Sequence, residues 1–226
     1  IFYQKIASKI HVEIWGSEVN KIRGNVTIED FVYQDTSHLL AMDKMTIDVK
    51  RNPANDSVMI ESPFFDLELI GKYDLEDVGH ALTEQLSYVI GNVVEDQHEH
   101  DADHEHYFLF LTLKDINPLL EFFDEDIEVA ENTVVRSEFD HDEKSFVLDI
   151  NCRYIDYHGT LIQDLKVENH FDSLKAILSY SADYIQLTDS LAVQNFVFDS
   201  RCKNNKFVTM TGWDGVGDTE PALFAF

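Results

Sequence analysis

Apolar and polar residues alternate along most of this chain. In SFVLDIN (145–151), Phe146, Leu148 and Ile150 fall on one side of an extended backbone and the residues between them on the other. That is the period of a strand with a single buried face. The same alternation runs through VTIEDFVYQ, MTIDVK, SVMIES, FDLELIG, YFLFLTL, TVVRSEF, KAILSYS, YIQLT, NFVFDS and KFVTMTG. These runs are rich in β-branched and aromatic residues, which pack well on a pleated surface. NPANDS, DHDEKS and CKNNK separate them with the residue types that form turns.

Two stretches change period. Over 74–90, Leu75, Val78, Leu82, Leu86 and Val89 recur at spacings of three and four, which predicts a helix with one apolar stripe. Asp74 suits its N-cap and Gly91 its stop. A shorter helix is predicted at NPLLEFF, with Pro118 at its first position after Asn117. Turns, not helices, join most strands, so antiparallel pairing is expected.

A weak repeat overlies this pattern. Aligning KSFVLDIN, LKAILSYS and NKFVTMTG brings Val147, Ile177 and Val208 together, at offsets of 30 and 31. Between them LIQDLKVE matches AVQNFVFD, with Gln163-Asp164 on Gln194-Asn195; IEDFVY (28–33) and AMDKMTID (41–48) echo it in the first half. Such a period indicates stacked units, each too small to bury its own face. The whole, 1–226, is therefore expected to be one continuous β-repeat unit, with the repeat-like part at 107–226. A long sheet with one apolar face and two helices must curl on itself, form a sandwich, or leave apolar surface open, and open apolar surface marks a binding face.

Composition narrows the function. The chain is 44% hydrophobic and carries a net charge of −26, from 43 acids against 17 bases. Nucleic acid and anionic membrane surfaces should repel it. Cys152 and Cys202 are expected as two thiols, packing as small hydrophobes, although a disulfide between them is possible. No apolar run approaches the roughly 20 residues of a membrane span. With no initial methionine, the sequence reads as a piece of a longer protein.

EDQHEHDADHEH (95–106) is the one cluster with metal-binding potential. His98 with His100, and His104 with His106, are two residues apart, so on a strand each pair would share a face and suit a transition metal. The same segment reads equally as a solvated acidic loop, since nothing in it supplies a second shell. His141 and His158 adjoin turn residues and are expected at the surface. WDGVGD (213–218) reads as a turn, and FFDEDIEVAEN lacks the acid order and central glycine of a calcium loop. No GxSxG, HExxH, P-loop or CxxC pattern is present. The expectation is a protein that is not an enzyme and needs no cofactor.

Several features resemble the TamB (translocation and assembly module) and AsmA-like family of bacterial envelopes, in its Bacteroidetes-type form. They are the NPLLEFF helix after a strand, the I-x-V-A-x-N-T entry (Ile127, Val129, Ala130, Asn132, Thr133), SEFD at 137–140, and the strand-to-helix step SPFFDLELIGKYDLEDV (62–78). The resemblance spans about Phe31 to Trp213, and Ser137 stands where the family usually has glycine. It implies an elongated, curved antiparallel sheet, a half-pipe with an apolar interior, held in the periplasm. It further implies a tether to the inner membrane outside this chain, phospholipid acyl chains as cargo, and an Omp85-type outer-membrane assembly partner. Wall residues facing lipid would be Phe146, Leu148, Ile150, Ile177, Phe196, Phe198 and Val208. The competing expectation, from another class, is a secreted or surface β-rich ligand-binding or adhesion module using the His/Asp loop to bind metal.

Overall fold

The computed structural model describes residues 4–18, 21–36, 38–73, 106–123, 125–172, 174–188, 191–203, 206–216 and 222–225. Its strands are β1 (Lys5–Trp15), β2 (Arg23–Gln34), β3 (Leu39–Lys50), β4 (Asp56–Glu61), β5 (Phe65–Lys72), β6 (His106–Leu113), β7 (Ile127–Val129), β8 (Thr133–Asp140), β9 (Ser145–Tyr157), β10 (Thr160–Phe171), β11 (Lys175–Thr188), β12 (Leu191–Lys203), β13 (Lys206–Gly215) and β14 (Ala222–Ala225). One helix, α1 (Asn117–Phe122), lies among them. The helix expected at 74–90 lies outside the described residues.

The protein is mainly β: one open, curved, antiparallel sheet. Its strands follow chain order, β1 through β6 and then β8 through β14, while β7 joins β9 beside β8. The order is sequential because short turns link the strands. His158 and Gly159 form a two-residue hairpin, both with positive φ (51° and 81°), the backbone that matches strand twist. The Ser62 hydroxyl accepts from the amides of Phe64 and Phe65 and pins the β4–β5 turn. Two runs read separately above, KAILSYS and YIQLT, form the single fourteen-residue strand β11. The edge strand β1, KIASKIHVEIW, is not among the strands predicted above, and all its residues are exposed.

A crease crosses the sheet. Asn132, Asp164 and Asn195 each adopt a left-handed backbone, with φ of 62°, 51° and 50°. They fall on one line across the strands: Asp164 stands level with Arg153 and Asp183, Asp183 with Asn195, and Asn132 with the Cys152–Arg153 stretch. Leu113, the last residue of β6, accepts from the Asn132 amide and marks where the short central strands stop. On the far side, Asp30 (φ 51°) repeats the kink opposite Asp43. At this line apolar residues three apart face the same side, as with Cys152 and Ile155, or Ile28 and Phe31 beside Met42 and Met45. The polar pairs of the repeat are the residues of the crease. Asn and Asp tolerate this conformation because their short side chains bond locally, and glycine meets no penalty there. Accordingly Asp164→Gly should leave stability nearly unchanged, whereas Asp164→Val should lower it by about 1–2 kcal/mol, as urea denaturation would measure.

The core lies on one face, here called inner. Beyond the crease, α1 covers Leu40, Met42, Phe64, Ile116, Val129 and Cys152. Phe122 sets its ring edge-on to Tyr33 at 5.0 Å, and the Asn117 amide bonds both backbone groups of Val129, at 2.9 and 3.1 Å. Before the crease, Val58, Leu69, Tyr73, Tyr107 and Leu109 form a second cluster. Gly71 (φ 154°) stands opposite Tyr107 there, and a Cβ on it would run into the His106 carbonyl oxygen.

Candidate functional site: the apolar inner face

Residues directly opposite in neighbouring strands share a face, so the register traces rows across the sheet. One inner row is apolar from strand to strand. From β1 to β6 it runs Val12, Val26, Ile47, Ile60, Leu67, Leu111. From β8 to β12 it continues Val135, Ile150, Val167, Tyr180, Phe198, and on β13 it ends at Thr211. At about 4.8 Å between strands, β1 to β12 makes a track of roughly 50 Å. The nearest row of the opposite face mixes the charged Asp48, Glu68, Arg136, Asp149, Glu168 and Asp199 with the apolar Met59, Phe110 and Met210. In these two rows the charged side chains fall on one side of the layer, while apolar side chains occur on both.

The wall residues proposed from sequence divide between the faces. Phe146, Leu148 and Ile150 lie on the inner face, and Phe196 and Phe198 join them through Ala182 and Tyr180. Phe198 stacks on Tyr180 at 5.5 Å, and Phe146 meets Phe171 at 6.2 Å. Ile177 and Val208 do not join them. Ile177 pairs with His170 and Arg201, Val208 pairs with Arg201, and the row leads back through His170 to Val147 on the outer face. Val208 is 66% exposed. The alignment that put Val147, Ile177 and Val208 in one column selects a real row, but the one behind Phe146 and Leu148. A step of one residue exchanges the faces, so an alignment centred on Val147 could not also place its neighbours.

Sequence reasoning passed over a second row. Beside the apolar track, Ser137, Leu148, Asn169, Leu178, Ser200 and Thr209 share one inner row. Ser137, Asn169 and Ser200 are buried, and each follows a crease residue (Asn132, Asp164, Asn195) by five positions. Ser200 bonds Thr209 at 2.9 Å. The Ser137 hydroxyl and both polar atoms of the Asn169 side chain have no hydrogen-bond partner. Burial pushes the Tyr180 phenol up, and the neighbouring Asn169 amide acts weakly the other way without reaching full hydrogen-bond geometry. An orphaned buried amide is costly. Asn169→Leu should therefore raise stability by about 1–3 kcal/mol, read as a higher denaturant midpoint.

The histidine segment contributes little to this picture. His98, His100 and His104 lie outside the described residues. His106 opens β6, half-buried and level with Lys72 and Asp140. His141 and His158 are exposed, and the latter contacts Asp126 at 2.9 Å. Among the described residues, no three His, Cys, Asp or Glu side chains are arranged to hold a metal. Both cysteines are free: Cys152 is buried and Cys202 half-buried; β10 and β11 lie between their strands, and Cys202 stands level with Phe146, well along β9 from Cys152, so they are out of each other's reach.

No protein-family model, curated protein or solved structure matches this chain. The residues alone must carry the functional reading.

Proposed function

We propose that this chain is a non-enzymatic length of lipid conduit of the TamB/AsmA-like kind, with phospholipid acyl chains lying along its inner face. The observation that supports it is the unbroken row from Val12 to Phe198. Acyl chains need only continuous apolar surface, and each methylene removed from water gains on the order of 0.8 kcal/mol. A uniform row lets a chain slide without a deep trap, while the charged outer face keeps the sheet soluble. In this reading the protein works in the periplasm, is tethered to the inner membrane through a segment outside this chain, and serves outer-membrane assembly with an Omp85-type partner.

The test is direct. Protein purified from bacteria without detergent, then extracted with organic solvent, should release phospholipid in defined stoichiometry by mass spectrometry, and EDTA should not change the amount. Protein that carries no lipid and takes none up from vesicles would refute the reading. Ligand binding that disappears with EDTA or with deletion of 95–106 would instead favour the metal-dependent adhesion module.

A further inference from the structure

The outer face of the sheet carries apolar surface that the track does not use. Phe108 and Phe110 alternate with the buried Tyr107 and Leu109 along β6, so both rings point outward. They are 41% and 43% exposed in mid-sheet. Ile70 stands opposite Phe108, and Met59, also exposed, lies two strands from Phe110 across Glu68. These four side chains form one patch, since directly opposite and diagonal neighbours on a sheet face reach one another. Single apolar residues at a surface are ordinary, but a contiguous group with two phenylalanines marks an interaction surface.

The charges around the patch indicate its partner. Lys50 pairs with Asp48 at 3.2 Å and Lys114 with Asp66 at 2.6 Å. Glu68 and Glu138 have no ion-pair partner among the described residues. Glu68 sits between Met59 and Phe110, and Glu138 is directly across from Phe108. Arg136 shows what this surface does with a cation: from across Phe110 it lays its guanidinium over the ring, 6.0 Å from the centroid. Phe108 has a glutamate in the corresponding position, so its ring and that carboxylate are both open to a cation from outside. The same charges set aside two nearer candidates. A second copy of this chain, with a net charge of −26, is repelled. The stretch 74–105 holds ten acids and neither lysine nor arginine, so it does not complement the patch.

We propose that the patch of Met59, Ile70, Phe108 and Phe110 docks a basic amphipathic helix of another protein. The helix lays its apolar stripe on the phenylalanines and its flanking lysines or arginines on Glu68 and Glu138. The sizes agree: Met59 and Phe110 are two strand spacings apart, roughly 10 Å, and so are helical residues seven apart. Two turns of one apolar stripe therefore span the patch. A helix also satisfies its own backbone groups, which the face of an intact sheet cannot do for an extended partner. The site lies on the reverse of the apolar track and stands or falls separately from the conduit reading.

The probe is a fluorescein-labelled synthetic helix of leucine and lysine, with the leucines gathered on one stripe, titrated with the full chain and followed by fluorescence anisotropy. A shuffled peptide of the same composition and a version with glutamate for lysine serve as comparisons. The striped basic peptide should bind at least tenfold more tightly than the shuffled one, and the glutamate peptide should not bind. Phe108→Thr with Phe110→Thr should remove that preference; both rings are exposed and threonine suits a strand, so the variant should remain folded. Glu68→Gln with Glu138→Gln, nearly isosteric, should weaken binding severalfold and flatten its salt dependence, and this pair decides the matter if the threonine variant does not fold. Val208→Thr, an outer-face change far across the sheet, should alter nothing. Equal binding of the striped and shuffled peptides overturns the site. So does binding that survives the loss of both phenylalanines, or that ignores the two glutamates. Purified protein without lipid would sink the conduit reading and leave this test untouched.

Discussion

An aspartate in place of Val167 should strip the protein of bound lipid and bring it close to unfolding at neutral pH. Val167 is buried between Ile150 and Tyr180 in the central apolar row, and its chain neighbours Lys166 and Glu168 point to the opposite face. A carboxylate there loses hydration and finds no cation. The unpaired charge and the lost valine together cost roughly 4 kcal/mol or more, a large part of the 5–15 kcal/mol that holds a typical domain. Burial raises the folded-state pKa of such a carboxyl above its unfolded value of about 3.9. The native state then binds more protons than the unfolded state, so the penalty is relieved below about pH 4 and grows as pH rises through the raised value. Urea denaturation of Val167→Asp and Val167→Asn between pH 4 and 8 checks this: only the aspartate variant should recover on acidification. An aspartate variant as stable as the parent at pH 8 would mean that this row is wet.

The second large effect is expected at Gly71. Its φ of 154° belongs to a region that side chains rarely adopt, and an added Cβ meets the His106 carbonyl oxygen and, at 2.7 Å, the Tyr107 Cα. Those are backbone atoms of the neighbouring strand and cannot step aside singly. Strain and overpacking together put Gly71→Val at roughly 3–5 kcal/mol. The damage should spread, because parting β5 from β6 separates Leu67 from Leu111 and splits the apolar row in mid-sheet. Gly24 offers the control. A Cβ there also strikes backbone, the Glu13 carbonyl oxygen, but β1 has one neighbour only. Hydrogen exchange should show Gly24→Val loosening β1 alone, and Gly71→Val lowering protection on both sides of the β5–β6 seam.

How far the architecture could be read from the chain follows from these same elements. Alternation in SFVLDIN or FDLELIG names a strand and its greasy side, because burial on one face forces period two. It fails where a strand crosses the crease. The Ala182-Asp183 step interrupts the pattern and divides β11 into two apparent strands, although the ladder runs through it. The repeat at Gln163-Asp164 and Gln194-Asn195 was visible, but residue identity alone does not reveal that such a pair bends its strand. Facing was the least legible. Ile177 and Val208 are as apolar as Leu148, and only the register assigns them to the other side. Asn169 and Ser137 were overlooked because single polar residues within strands look like surface; their common offset of five from Asn132 and Asp164 was the available clue.

The crease has a consequence for how such a protein could change its reach. Each unit of about 31 residues, one left-handed Asn or Asp with two strands, adds roughly 10 Å of ribbon and inherits its fold line from its predecessor. Duplicating or deleting a unit leaves every other unit's contacts intact, so span would scale with gene copy number in fixed steps. Evolution could then match the molecule to the width of a gap as one cuts a rule to length, without redesigning its cross-section.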